Sequence, residues 1–261
     1  MDKYFAIFKI QITNRWAYAG NLLAQSLTIV MFMWIFLQLW QTTYKAAGKS
    51  VIAGLSLSDT LWYLMIAETI MLSKPRLSTA ISQSIKDGSI AYILNKPYNF
   101  IFYQISIGLG DSLSNFVFNA LAGGITVWIL VGPPPSPSSL PMTVISILLA
   151  WFIHFWINIL IGLAAFITED VSAFDWIYSK FLLLLGGVLI PLDFFPTWLQ
   201  SLTKFLPFSY MIYGPARLFV DPNLTGFLNL VVFQSSWILV LGAAVFYVYR
   251  QGSQWLAING G

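Results

Sequence analysis

Six apolar stretches occupy most of this chain, and most of them are long enough to cross a lipid bilayer. They run Tyr18–Leu39, Thr60–Leu72, Phe100–Val131, Met142–Ile167, Ile177–Ile190 and Phe227–Tyr249. A helix needs about 20 apolar residues to span the hydrocarbon core. The second and fifth stretches fall short of that count, so they must borrow flanking residues or end inside the membrane. The expected fold is an all-α integral membrane protein with six transmembrane helices.

The charge content agrees. Charged residues make up 9% of the chain and mean hydropathy is +0.76, whereas a soluble domain carries about 25% charged residues. A separate nucleotide-binding or catalytic domain needs roughly 100–150 residues, and no loop approaches that length. Residues 1–261 therefore read as one membrane domain. There is no cysteine, which excludes disulfides, thiol catalysis, Fe–S clusters and thiolate zinc sites. The single histidine, His154, excludes a histidine-based metal cluster. The net charge of +3 comes without any basic run, so it does not point to nucleic acid. Residues 1–16 mix Asp2, Lys3, Lys9 and Arg15 with apolar residues. The apolar run after them is longer than a signal-peptide core of about 7–15 residues. The first stretch is expected to remain in place as a membrane helix.

Lys and Arg concentrate in cytoplasmic loops. With the N-terminus inside, the inner side holds nine cations: Lys3, Lys9, Arg15, Lys74, Arg76, Lys86, Lys96, Lys180 and Arg250. The outer side holds four: Lys45, Lys49, Lys204 and Arg217. Both termini are expected in the cytoplasm.

The segments between the stretches carry most of the punctuation. Phe5, Phe8, Ile12 and Trp16 recur at helical spacing, so residues 3–16 read as an interfacial helix with its rings in the headgroup layer. Residues 41–58 read as the first outer loop. Gly48-Lys49-Ser50 looks like the end of a phosphate-binding loop, but Thr43 stands where that loop needs its first glycine, so it is rejected. In residues 73–99, Leu77, Ile81 and Ile85 form one helical stripe. Asp87-Gly88 ends that helix, with Lys86 as the charge at its end, because glycine tolerates the left-handed cap. Ser89 can cap a second short helix through Tyr92 and Leu94. Periodicity alone fits two uses for this segment: docking into a partner's groove, or lying on the membrane surface. Pro133–Pro137 reads as a stiff outer turn. In residues 191–226, Pro191, Pro196, Pro207 and Pro215 cut an aromatic-rich segment into pieces too short to span. Phe195 and Trp198 suit the headgroup belt. A helix pair that dips into the outer leaflet and returns is the simplest geometry, with a flat surface loop as the alternative.

Glu68, Asp111 and His154 lie inside apolar stretches. An Asp at a helix centre costs about 2.5–3.5 kcal/mol on insertion scales, so such groups face protein or water. They can serve a transport route, or simply join helices. No carboxylate pair and no Ser–His–Asp grouping is legible, which disfavours an enzyme.

The whole chain resembles the ABC-2-type exporter permeases, in particular the bacterial ABC-2 family transporter proteins. Three segments carry the resemblance: MDKYFAIFKIQITNRWAY at the start, KDGSIAYILNKPYNF after the second stretch, and GGVLIPLDFFPTWLQSLTKFLPFSYMIYGPARLF after the fifth. The resemblance implies that residues 77–94 hold a coupling helix seated on an ATP-binding cassette subunit, and that residues 191–220 form outer re-entrant helices. It further implies pairing with a second permease, identical or related, in the lipid of a bacterial inner membrane. ATP and Mg would sit on the partner subunit, with no cofactor in this chain. The runner-up reading is a proton-coupled carrier using Glu68 and Asp111, and a lipid-modifying membrane enzyme comes third.

Overall fold

The computed structural model of the chain describes residues 2–168 and 170–259, apart from the side chains of Leu94 and residues 253–259. Helix α1, Asp2–Ala17, breaks at Tyr18 and continues as α2, Ala19–Ala47. The expected outer loop at 41–58 is shorter than the sequence suggested. Helix α2 runs on two further turns, because Trp40 and Tyr44 bury their rings and the Thr42 and Thr43 hydroxyls fold back onto carbonyls of the preceding turn. What remains is a small antiparallel hairpin, β1 (Val51–Ile52) and β2 (Leu55–Ser56), with Val51 opposite Ser56.

Helix α3, Leu57–Leu72, starts on a capping box: Ser56 Oγ accepts from Asp59 N at 3.2 Å, and Asp59 accepts from Ser56 N at 3.0 Å. Two short helices follow, α4 (Leu77–Lys86) and α5 (Ile90–Leu94). Helix α6, Phe100–Val131, is capped by Asn99, which accepts from Ile101 and Phe102 N–H groups. Then come α7 (Leu140–Leu163), α8 (Ser172–Leu185), the three short helices α9 (Thr197–Thr203), α10 (Pro207–Met211) and α11 (Tyr213–Val220), and the long α12 (Leu224–Asn259).

Among the described residues four helical stretches are long and apolar enough to cross a membrane: Ala19–Ala47, Phe100–Val131, Pro137–Phe166 and Leu224–Gly252. Helices α3 and α8 are shorter, at 16 and 14 residues. Helix α3 is nonetheless the most enclosed element, with every residue from Thr60 to Ile70 buried. It packs against α2, α6 and α11. A helix apolar on all sides belongs in an interior, and α3 spans only about 24 Å. Helix α8 lies further toward the N-terminus than the apolar stretch Ile177–Ile190 suggested. It stops at Leu185 because Gly187 turns the chain at φ +76°. The Tyr63 hydroxyl donates to Gly187 O at 2.7 Å and ties that turn to α3.

Helix α7 is the hub. It packs against α12 along much of its length and also meets α4 and α11. Buried Gln234 of α12 donates to Ser146 O of α7 at 3.0 Å and to Tyr210 O of α10 at 2.8 Å. The connections gather at two ends. One end collects the hairpin, the Pro133–Pro137 turn and α11: Trp62 donates to Gly132 O and Ser139 to Phe219 O. The other collects α4, the end of α7 and the latter part of α12: Phe100 stacks on Tyr249, and Lys86 faces Asp170.

Helix α1 runs beside α6 in the same direction, from Tyr4 near Phe102 to Trp16 near Phe118. Its partly buried row is Tyr4, Ile7, Phe8, Gln11, Ile12 and Arg15. Phe5 and Trp16, which the sequence placed in one apolar stripe, stay exposed. The helix docks where α6 offers a notch at Gly110 and a carboxylate at Asp111. The Gln11 side chain fills the notch, and its Cβ would lie 2.8 Å from a Cβ at residue 110.

Candidate functional site

Three places hold the residues of interest. The first is the segment between α3 and α6. The stripe of α4 is used inside the chain itself. Leu77 and Ile81 are buried, and Ile85 is half-buried. Ile81 and Ser78 O close on Gly162 of α7, where a Cβ would come within 2.8 Å of Ile81 Cβ. Leu77 reaches Gly108 of α6. The exposed residues of α4, α5 and the turn between them include instead Gln83, Lys86, Asp87, Gly88 and Tyr92. Gly88 takes φ +75°, which sets the angle between the two helices. Ser89 does not cap α5 with its side chain; its N–H donates to Asp87 Oδ1 at 2.9 Å. Hydrogen bonds from Ser89 hold the Asp87 carboxyl below the usual carboxylate range. Leu94 belongs to α5, and its side chain lies outside the described residues. Lys96 sits over the Tyr92 ring, 4.4 Å from its centre.

The second place is the set of polar groups within the helices. Asp111 accepts from Arg15 Nε at 2.5 Å and from Gln11 Nε2 at 2.8 Å. Neither partner was legible as such in the sequence, because nothing local relates positions about 100 residues apart. His154 is fully buried, with Nδ1 2.6 Å from the Tyr178 hydroxyl of α8. Its Nε2 has no partner among the described residues. Glu68 is buried in α3 and makes no hydrogen bond or ion pair among the described residues. No such bond joins any two of Glu68, Asp111 and His154. Just past α3, Lys74 donates to Ser179 Oγ at 2.6 Å. Burial pulls its ammonium below the usual lysine value, against the opposing field of Asp175.

The third place is the run from Pro191 to α12. Pro191 and Pro207 are buried, Phe195 is half-buried, and Pro196 and Trp198 are exposed. Pro196 precedes α9, and Pro207 opens α10, where a missing N–H costs nothing. Behind these turns lies a cavity of about 530 Å³ between α9–α11 and the start of α12. Its polar centre is Asp193, which accepts from Tyr213 Oη at 3.1 Å and lies 3.4 Å from Arg217 Nε. Arg217 also reaches Asp221 at 3.2 Å. Asp193 Oδ2 is buried without a partner among the described residues. The sequence pointed to the prolines and rings here and not to this Asp–Tyr–Arg cluster.

Bilayer-length helices packed on a common hub, with the connecting segments sorted to two ends, are the architecture of a multi-pass membrane protein. The chain belongs to the ABC-2 family transporter proteins, whose family model matches residues 22–260. No curated protein matches it. It is therefore a membrane permease component of an ABC transporter, and membership implies an ATP-binding cassette subunit as its partner.

Proposed function

We propose that this chain is the permease subunit of an ATP-driven exporter of an amphipathic or hydrophobic cargo. It crosses a bacterial inner membrane six times, with α3 and α8 as the second and fifth crossings and both termini in the cytoplasm. ATP and Mg sit on the separate cassette subunit, and a second permease, identical or related, completes the route.

The observation that carries this reading is the seating of α4. Its apolar row is locked against Gly162 of α7, so a push on its exposed face is delivered to α7 rather than absorbed by a loose loop. Helix α7 in turn contacts α10, α11 and α12. A force applied at Gln83, Lys86 and Tyr92 thus reaches the elements that enclose the Asp193 cavity and the Pro191–Pro207 gate. The seating also explains why the apolar stripe does not serve as the docking face itself. A proton-driven carrier draws no support from Glu68 and Asp111, because Asp111 is held by Arg15 and Gln11 while Glu68 lies apart.

The test is site-specific photocrosslinking in native membranes. A crosslinker at Tyr92 should capture the cassette subunit, and one at buried Ile81 should not. Capture of lipid alone from Tyr92, with the chain at its native level, would contradict the assignment.

A further inference from the structure

A small polar cavity of about 100 Å³ opens beside the elbow between α1 and α2, at the end of the bundle that carries α4. Arg15, Lys74, Arg76, Asp111 and Asn115 line it, and its wall is almost entirely polar. The charges do not cancel. Asp111 is paired with Arg15. Lys74 points at Ser179 and lies in the field of Asp175. Arg76 is left over: it is exposed, and among the described residues its guanidinium has no hydrogen bond and no carboxylate partner. The Asn115 side chain likewise makes no hydrogen bond among the described residues. Arg15 engages Asp111 through Nε, so its terminal nitrogens still have donors to offer.

One uncompensated guanidinium, an amide and the free edge of a second guanidinium surround a cavity with room for little more than a tetrahedral anion. Arginine forks match the oxygen spacing of such anions and remain charged at every physiological pH. The position is equally telling. Arg76 directly precedes α4, and Asp111 lies about three turns into α6. In the membrane orientation proposed above, that level is where the helices leave the apolar zone and lipid phosphates begin. We propose that this cavity binds a singly charged phosphodiester, supplied either as the headgroup of an anionic lipid or as a soluble phosphodiester. The proposal does not depend on the exporter reading, since it concerns the chain's own elbow. A ligand here would join α1, the start of α4 and α6.

The experiment follows thermal unfolding of the purified chain by its tryptophan fluorescence. Three probes are compared at equal concentration: short-chain phosphatidylglycerol, short-chain phosphatidylcholine, and glycerophosphoglycerol, which is the same headgroup without its acyl chains. Phosphatidylglycerol should raise Tm above the phosphatidylcholine value in a saturable way. Arg76→Gln should weaken the half-saturating concentration by about tenfold or more, as expected for losing a hydrogen bond to a charged group. Asn115→Ala should weaken it less. If glycerophosphoglycerol gives the same shift, the site serves a soluble ligand; if only the lipid does, the site is a lipid site. Absence of any shift beyond phosphatidylcholine, or an undiminished shift in both variants, would overturn the proposal.

Discussion

Arg15 and Asp111 meet at 2.5 Å across the contact between α1 and α6, with the Asp111 side chain 15% exposed. This contact ties the N-terminal helix to a long apolar helix. Hydrogen bonds to charged groups contribute about 1.5–3 kcal/mol. Arg15→Gln should therefore lower stability by an amount in that range. Asp111→Asn should cost less, because the amide oxygen that replaces the carboxylate can still accept from Gln11. The double variant should cost less than the sum of the two. A double-mutant cycle on thermal stability measures this, and strict additivity would show that the pair contributes nothing.

The turn after α8 depends on Tyr63 and Gly187. Tyr63→Phe removes the donor and leaves Gly187 O buried and unpaired, at a cost of about 1–3 kcal/mol. Gly187→Ala should cost more. Its φ of +76° is unfavourable for any L-residue with a Cβ, and the new carbon would come 2.7 Å from Tyr63 Oη. Unfolding in detergent should rank wild type, Tyr63→Phe and Gly187→Ala in falling order of stability. Equal values would show that α3 does not hold this turn.

Much of the fold was legible because it is written in local patterns. The long apolar helices announce themselves by length, and the 191–226 segment is punctuated by its own prolines. The shift of α8 toward Ser172 was not legible, because the apolar count runs straight through Gly186–Gly187 while the backbone does not. The contacts of α1 with α6 were not legible for a different reason. Its rings mark an apolar stripe, but packing follows the Gly110 notch and Asp111, which lie on another helix. The same blindness hid the Asp193–Tyr213–Arg217 cluster. For α4, the stripe Leu77–Ile81–Ile85 was visible, yet periodicity cannot say whether such a stripe meets a partner or the chain's own core.

Glu68 is the sharpest test of what the buried polar groups do. It has no ion-pair partner among the described residues, and an isolated buried carboxylate is costly when charged. Glu68→Gln keeps the shape and the hydrogen-bonding capacity. ATP hydrolysis by the assembled transporter should retain its rate and its pH profile in this variant. Loss of activity together with loss of pH dependence would assign Glu68 a proton-carrying role.

The seating of α4 predicts an uncoupled phenotype. Gly162→Leu forces a side chain into the space held by Ile81 and Ser78 O, and overpacking of this kind costs about 1–3 kcal/mol. Gly88→Val acts further out, by disfavouring the φ of +75° that orients α5 and Tyr92. Both variants should insert and assemble, yet lose the permease-dependent part of ATP hydrolysis. Full coupling in a correctly assembled Gly88→Val complex would remove α5 from the contact.

We propose that this chain works as the membrane half of an ATP-driven machine. The most direct measurement is purification of the tagged chain from its native membrane in mild detergent, followed by identification of what elutes with it and assay of ATP hydrolysis in liposomes. An ATP-binding cassette chain should elute in stoichiometric amount, with hydrolysis that falls when Tyr92 is replaced by alanine. A chain that elutes alone, and that carries a proton-coupled flux in liposomes without ATP, would contradict it.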